Sequence, residues 1–88
     1  MNVFTDKAFG RDIKKIKDPE LLYKVKSIVI DFENAENLSE IRNIKKIEGK
    51  VNYYRLKIKN HRIGLKLIDN SIYLLRFLHR KDIYKFFP

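Results

Sequence analysis

The sequence predicts an α+β fold: a short N-terminal strand, a helical hairpin, then four strands of a mostly antiparallel sheet, in the order β-α-α-β-β-β-β. Three observations predict it. Apolar residues recur at helical spacing up to about residue 34. From Tyr53 onward they alternate with charged residues, the period of two that a half-buried strand requires. Asn60 and Asp69-Asn70 are turn signals that cut this second region into hairpin-linked strands. The helical hairpin is expected to cover one face of the sheet, leaving the other face open with its rows of Arg and Lys.

Asn2-Val3-Phe4 is long enough only for an edge strand. Thr5 is placed to cap a first helix running to about Ile16, with Phe9, Ile13 and Ile16 on one side. Asp18-Pro19-Glu20 starts a second helix. Asp18 is the cap, Pro19 suits the first helical position, and Glu20 meets the positive end of the helix dipole. Leu21, Leu22, Val25, Ile28, Val29 and Phe32 then form one apolar stripe, carrying this helix to about Asn34. The linker between the helices is expected to be one or two residues.

Leu38, Ile41, Ile44 and Ile47 recur every three residues, which fits neither a helix nor a strand. The reading is a helical turn near Ser39 to Arg42, a strand at about Ile44 to Ile47, and a turn at Gly49-Lys50. In the next strand Tyr54, Leu56 and Ile58 share one face, and Tyr53, Arg55, Lys57 and Lys59 the other. After Asn60, Ile63, Leu65 and Leu67 alternate with Arg62, Gly64 and Lys66. Ile72 to Leu78 is almost wholly apolar, Arg76 excepted, and is expected to be central and buried on both faces. His79 to Phe86 leaves the sheet as a turn or short helix.

Length and composition bound the function. Eighty-eight residues make a single domain spanning 1–88. At 44% hydrophobic and 35% charged, the chain builds a core and is not a disordered polycation. The lack of cysteine excludes disulfides, thiolate chemistry and cysteine zinc sites. No apolar run approaches the ~20 residues of a membrane span, and no signal-peptide core opens the chain. The expectation is a soluble, cytoplasmic protein with no membrane partner. Its net charge is +9, and residues 53–88 alone hold nine cations against two aspartates, a net of +7. A sheet-forming segment so charged reads as a surface for a polyanion: nucleic acid first, with acidic lipid or an acidic protein as the other options.

Such a surface can do chemistry on RNA. Metal-free cleavage has the ribose 2′-OH attack the neighbouring phosphate. It needs a proton acceptor, a proton donor and cations for the charge that builds at phosphorus. Arginine matches phosphate oxygens with its planar fork. Histidine transfers protons near neutrality, and tyrosine can transfer a proton or stack on a base. His79, Arg80 and Tyr84 lie together just after the longest apolar strand. Residues 53–88 hold two isolated aspartates and no acidic cluster, so neither a metal nor another cofactor is expected.

The pattern Tyr54-Arg55-x-Lys57, then Arg62, then His79-Arg80-Lys81-Asp82-x-Tyr84 resembles the RelE/ParE superfamily of type II toxins, its RelE-like members in particular. The likeness extends to the first strand and the Lys-rich helical hairpin. It implies a RelE-like fold, similar to that of microbial ribonucleases. It also implies a metal-independent endoribonuclease, an mRNA interferase acting commonly on the ribosome and held inactive by a cognate antitoxin. Carried over by position, Arg62 and Arg80 would stabilise the phosphate, and Tyr84 would stack on the nucleotide or deprotonate it. His79 is the other candidate proton carrier. Arg55, Lys57, Lys59, Arg76 and Lys81 would line the path of the RNA. The chain departs from the family pattern at His61, where tyrosine is more usual, and at Leu78, where many members have glycine. It has no obvious equivalent of the glutamate that some members use as base. Two alternatives stand beside this reading: a ParE-like toxin that inhibits DNA gyrase, and an inactive module that binds RNA or antitoxin. The bland reading of Lys59 and Lys66 is a solvated sheet face. For His61 it is the capping of a turn or the filling of a polar gap, and for Phe86 and Phe87 it is closure of the core.

Overall fold

The computed structural model describes residues 1–88. Five strands form one sheet: β1 (Asn2–Thr5), β2 (Ile44–Lys46), β3 (Tyr53–Ile58), β4 (His61–Ile68) and β5 (Ser71–His79). Three helices accompany it: α1 (Lys7–Lys14), α2 (Pro19–Asn34) and α3 (Arg80–Phe86). The strand order is β1-β5-β4-β3-β2. β1 pairs with β5 in parallel, and every other pair is antiparallel. The predicted α+β architecture is therefore present, and the turn or short helix expected at its end is the helix α3.

Local chemistry explains most of the boundaries. Asp18 Oδ1 accepts hydrogen bonds from the N–H groups of Glu20 (3.0 Å) and Leu21 (3.4 Å), and Pro19 opens α2. The first helix starts one residue later than expected. Thr5 is still paired with Leu74 in the sheet, so Asp6 takes the N-cap position, without a side-chain bond. The link between the helices spans residues 15–18 rather than one or two, because α1 stops at Lys14.

Phe9, Leu21, Val25 and Phe32 from the helices meet Leu56, Ile58, Ile63, Leu65, Ile72, Leu74 and Phe77 from the sheet in one core. The three-residue spacing of Leu38, Ile41 and Ile44 has a simple cause. A single 3-10 turn holds Leu38–Glu40, and Asn43 is left-handed at φ 63°. The kink at Asn43 resets the strand alternation, so Ile41 and Ile44 both pack on the core.

Two expectations about the sheet are corrected. β4, not β5, is the middle strand, and β5 buries fully only Ile72, Leu74 and Phe77. Tyr73, Leu75 and Leu78 are half-buried, and Leu75 and Leu78 lie past Leu74, where the short β1 ends. The second correction concerns the face expected to be open. The C-terminal helix α3 lies against it and buries Ile83 and Phe87 there. Gly64 makes this possible: a Cβ at that position would lie 2.6–2.7 Å from three Phe87 ring carbons. The Phe87 ring therefore rests on bare backbone in the middle of the sheet, with Tyr53 edge-on at 5.8 Å. Burying Ile83 and Phe87 is worth ~1.5–3 kcal/mol each and holds a seven-residue helix that would not persist alone.

Candidate nucleic-acid site

The strand register builds the site. Between β3 and β4, Lys57 faces Arg62 and Arg55 faces Gly64. Like charges directly opposite each other destabilise a sheet, so the Lys57–Arg62 pair is a stability cost carried in the fold. The cost is partly offset because Arg62 Nη1 donates to the carbonyls of Lys59 (3.1 Å) and His61 (2.9 Å). That draws its guanidinium toward the β3–β4 turn. The N–H of Arg80 donates to Asn60 O at 2.8 Å, tying the first turn of α3 to the same turn.

With α3 anchored by Ile83 and Phe87, Tyr84 stands away from the core and is 64% exposed. Arg55 Cζ lies 4.6 Å from the centre of its ring, within cation–π range. Tyr84, Arg55, Lys57 and Arg62 line one hollow of about 380 Å³, together with Asn43, Ile44 and Lys45. This lining holds four cations, one phenol and one amide, and no carboxylate. It attracts an anion, offers guanidinium and ammonium groups to phosphate oxygens, and presents an aromatic ring to a base.

The other predicted site residues fall elsewhere. Arg80 and Lys81 are exposed on the first turn of α3. Arg80 is one helical turn before Tyr84, on the same side of the helix, but outside the lining of the hollow. His79 is the N-cap of α3, and its Nδ1 accepts the N–H of Lys81 at 3.2 Å. Its ring meets His61 edge-on at 5.5 Å and lines a different hollow with Asp12 and Arg76. That hollow runs along the outer edge of β5, between α1 and the Asp82 and Phe86 side of α3, and shares no residue with the Tyr84 hollow. His79 and Tyr84 are therefore not brought together.

Arg76 lies outside the lining of the Tyr84 hollow. It binds Asp12 through two hydrogen bonds, 2.8 and 3.1 Å, and the same carboxylate accepts the Phe77 N–H at 2.9 Å. Asp12 thus satisfies the β5 edge beyond the end of β1, a role that a charge in the α1 sequence does not announce. Burial pushes the Asp12 carboxyl up, but the bonds from Arg76 and Phe77 outweigh it and hold the carboxyl below its ordinary value. Its bonds to Asp12 push the Arg76 guanidinium up in turn. Lys59 is turned to Glu20 of α2 at 2.6 Å, also away from the hollow, and that bond raises its ammonium pKa. His61, stacked on Phe77 at 5.0 Å, is held below the usual imidazole value by burial first and by His79 second.

Sequence reasoning missed Asn43 and Lys45. Both precede the charged alternating strands, and only the β2–β3 pairing brings them beside Arg55 and Lys57. The available signal was an asparagine just before a short strand, a residue type that tolerates the left-handed region.

Comparison with known proteins follows the same lines. No protein-family model matches the chain. Toxin RelE3 of Methanocaldococcus jannaschii is 37% identical over 89 residues, covering the whole of both chains. The toxin in the RelB–RelE antitoxin–toxin complex from Methanococcus jannaschii superposes with a TM-score of 0.84 at 35% identity, over 97% of this chain and 99% of that one. The archaeal RelE–RelB complex from Pyrococcus horikoshii OT3 gives a TM-score of 0.74 at 17% identity, over 90% and 93% of the two chains, a likeness of fold. With identity above one third along the entire length, this chain belongs to the RelE family of toxins.

Proposed function

We propose that the chain is a metal-independent endoribonuclease, an mRNA interferase whose activity is checked by an antitoxin protein. The observation that carries this reading is the single hollow in which Tyr84, Arg55, Lys57 and Arg62 converge without any carboxylate. The relatives solved as RelB–RelE complexes support a RelB-like partner. The family resemblance supports messenger RNA, commonly on the ribosome, as substrate.

In the proposed reaction the 2′ oxygen bonds to phosphorus and the bond from phosphorus to the 5′ oxygen breaks. The products are a 2′,3′-cyclic phosphate and a 5′ alcohol. The Tyr84 oxygen takes the 2′ proton as its own phenolic proton passes to solvent. The departing 5′ oxygen is protonated by water, and the hydroxide left behind is neutralised by the proton that Tyr84 released. Arg62 and Lys57 stabilise the charge on the phosphoryl oxygens, with Arg80 approaching from the first turn of α3. His79 is given no proton-transfer role, because it caps α3 from the other face of the sheet.

Single-turnover cleavage of free RNA and of ribosome-bound mRNA tests this. Tyr84→Phe is expected to lose about 10²–10⁴ in rate and to fall as far as Tyr84→Ala. Arg62→Ala is expected to lose about 10²–10³. Near-wild-type cleavage by Tyr84→Phe would remove the tyrosine from the chemistry, leaving it at most a stacking surface.

A further inference from the structure

We propose that Asn43 is the base-reading residue of this site, its amide meeting the edge of the nucleotide base that stacks on Tyr84. The inference rests on the ribonuclease reading for its substrate class. The cations of the hollow meet a phosphate or any acceptor alike. Arg55 is spread over the Tyr84 ring, and Arg62 is drawn to the carbonyls of the β3–β4 turn. Ile44 offers no polar group. Asn43 is the only lining residue with a neutral amide, a donor and an acceptor side by side. That pair matches the adjacent donor and acceptor on a base edge, the way asparagine reads adenine.

The backbone holds this residue in place. Asn43 has φ 63°, and its carbonyl accepts the Lys57 N–H at 2.9 Å, one step beyond the β2–β3 ladder. It is thus fixed beside Lys57 while its side chain stays exposed. The left-handed conformation alone does not call for an amide, since glycine adopts it at no steric cost. Glycine is therefore the clean control: Asn43→Gly keeps the kink and deletes the reading group.

The test is binding of four non-cleavable 2′-O-methyl tetranucleotides, each built of one base, to the wild type, Asn43→Gly and Asn43→Asp. Maps of cleavage sites on a natural mRNA run in parallel. The wild type is expected to prefer its best tetranucleotide to its weakest by about 5- to 10-fold, at the low end for one good bidentate base contact. Asn43→Gly should compress that spread to within about 2-fold. Asn43→Asp, equal in size but without the amide donor, should reorder the preference toward bases that donate. A flat wild-type series, or a spread that survives in Asn43→Gly, would overturn the proposal. A spread that collapses in Asn43→Gly while the wild type cuts no RNA would leave base reading standing and defeat the ribonuclease reading instead.

Discussion

His61 shows how one residue ties fold to pH. It stacks on Phe77 at the end of the core, and burial followed by the charge of His79 holds its pKa below that of a free imidazole. The folded chain therefore resists protonating it more than the unfolded chain does. The stabilising contribution of neutral His61 is fully present above pH ~6.5 and is lost as pH falls through the lowered folded value. Asp12 shifts in the same direction but below its ordinary 3.8, so it stays out of this window. The denaturation midpoint of the wild type is expected to fall between pH 7 and pH 5, and His61→Phe should flatten that decline. An unchanged slope in His61→Phe would show that the titration belongs to another group. At this scale the sequence is only partly legible. His79 and Tyr84 are five residues apart and equally suited to carrying a proton. The start of α3 separates them, committing the His79 ring to a cap on the core face and Tyr84 to the cationic face. Residue chemistry alone does not hold that information.

Among the elements, α3 decides whether there is a site at all. Periodicity reads α2 to the residue because Asp18, Pro19 and the apolar stripe agree with one another. It cannot say where α3 goes, because a helix of seven residues is placed by what it packs on. The seat is Gly64, which in sequence looks like a gap in an alternating strand. Only the fold shows the Phe87 ring resting on it. Gly64→Ala is expected to push that ring off the sheet, because the aromatic carbons at 2.6–2.7 Å cannot all yield within a packed layer. The loss should be about 1–3 kcal/mol in denaturant unfolding, with cleavage falling more than about tenfold as Tyr84 leaves Arg55. Adding Phe87→Leu should recover part of the stability by giving the new methyl room. If Gly64→Ala alone is silent in both assays, the contact does not seat α3.

Across the whole molecule, charge is the property that the sequence shows most directly and locates least well. The excess of Arg and Lys in residues 53–88 is plain, yet the fold sets five of those nine cations to three different tasks. Arg76 closes the β5 edge through Asp12, Lys59 turns to Glu20 on α2, and Arg55, Lys57 and Arg62 surround Tyr84. Charge pairing and strand register, not composition, make that division. It gives a quantitative expectation for binding to single-stranded RNA. Each phosphate neutralised by the protein contributes a slope of about −0.7 to the dependence of log affinity on log salt. Lys57→Ala removes a cation that faces Arg62 in the hollow, so its slope should be shallower than wild type by about that amount. Lys59→Ala removes an equal charge from the same strand end, but from a side chain already held by a carboxylate, and its slope should match the wild type. Net charge changes equally in the two variants, so a purely non-specific attraction would weaken both alike. Equal slopes for Lys57→Ala and Lys59→Ala would mean that RNA follows the overall field of the protein rather than the hollow beside Tyr84.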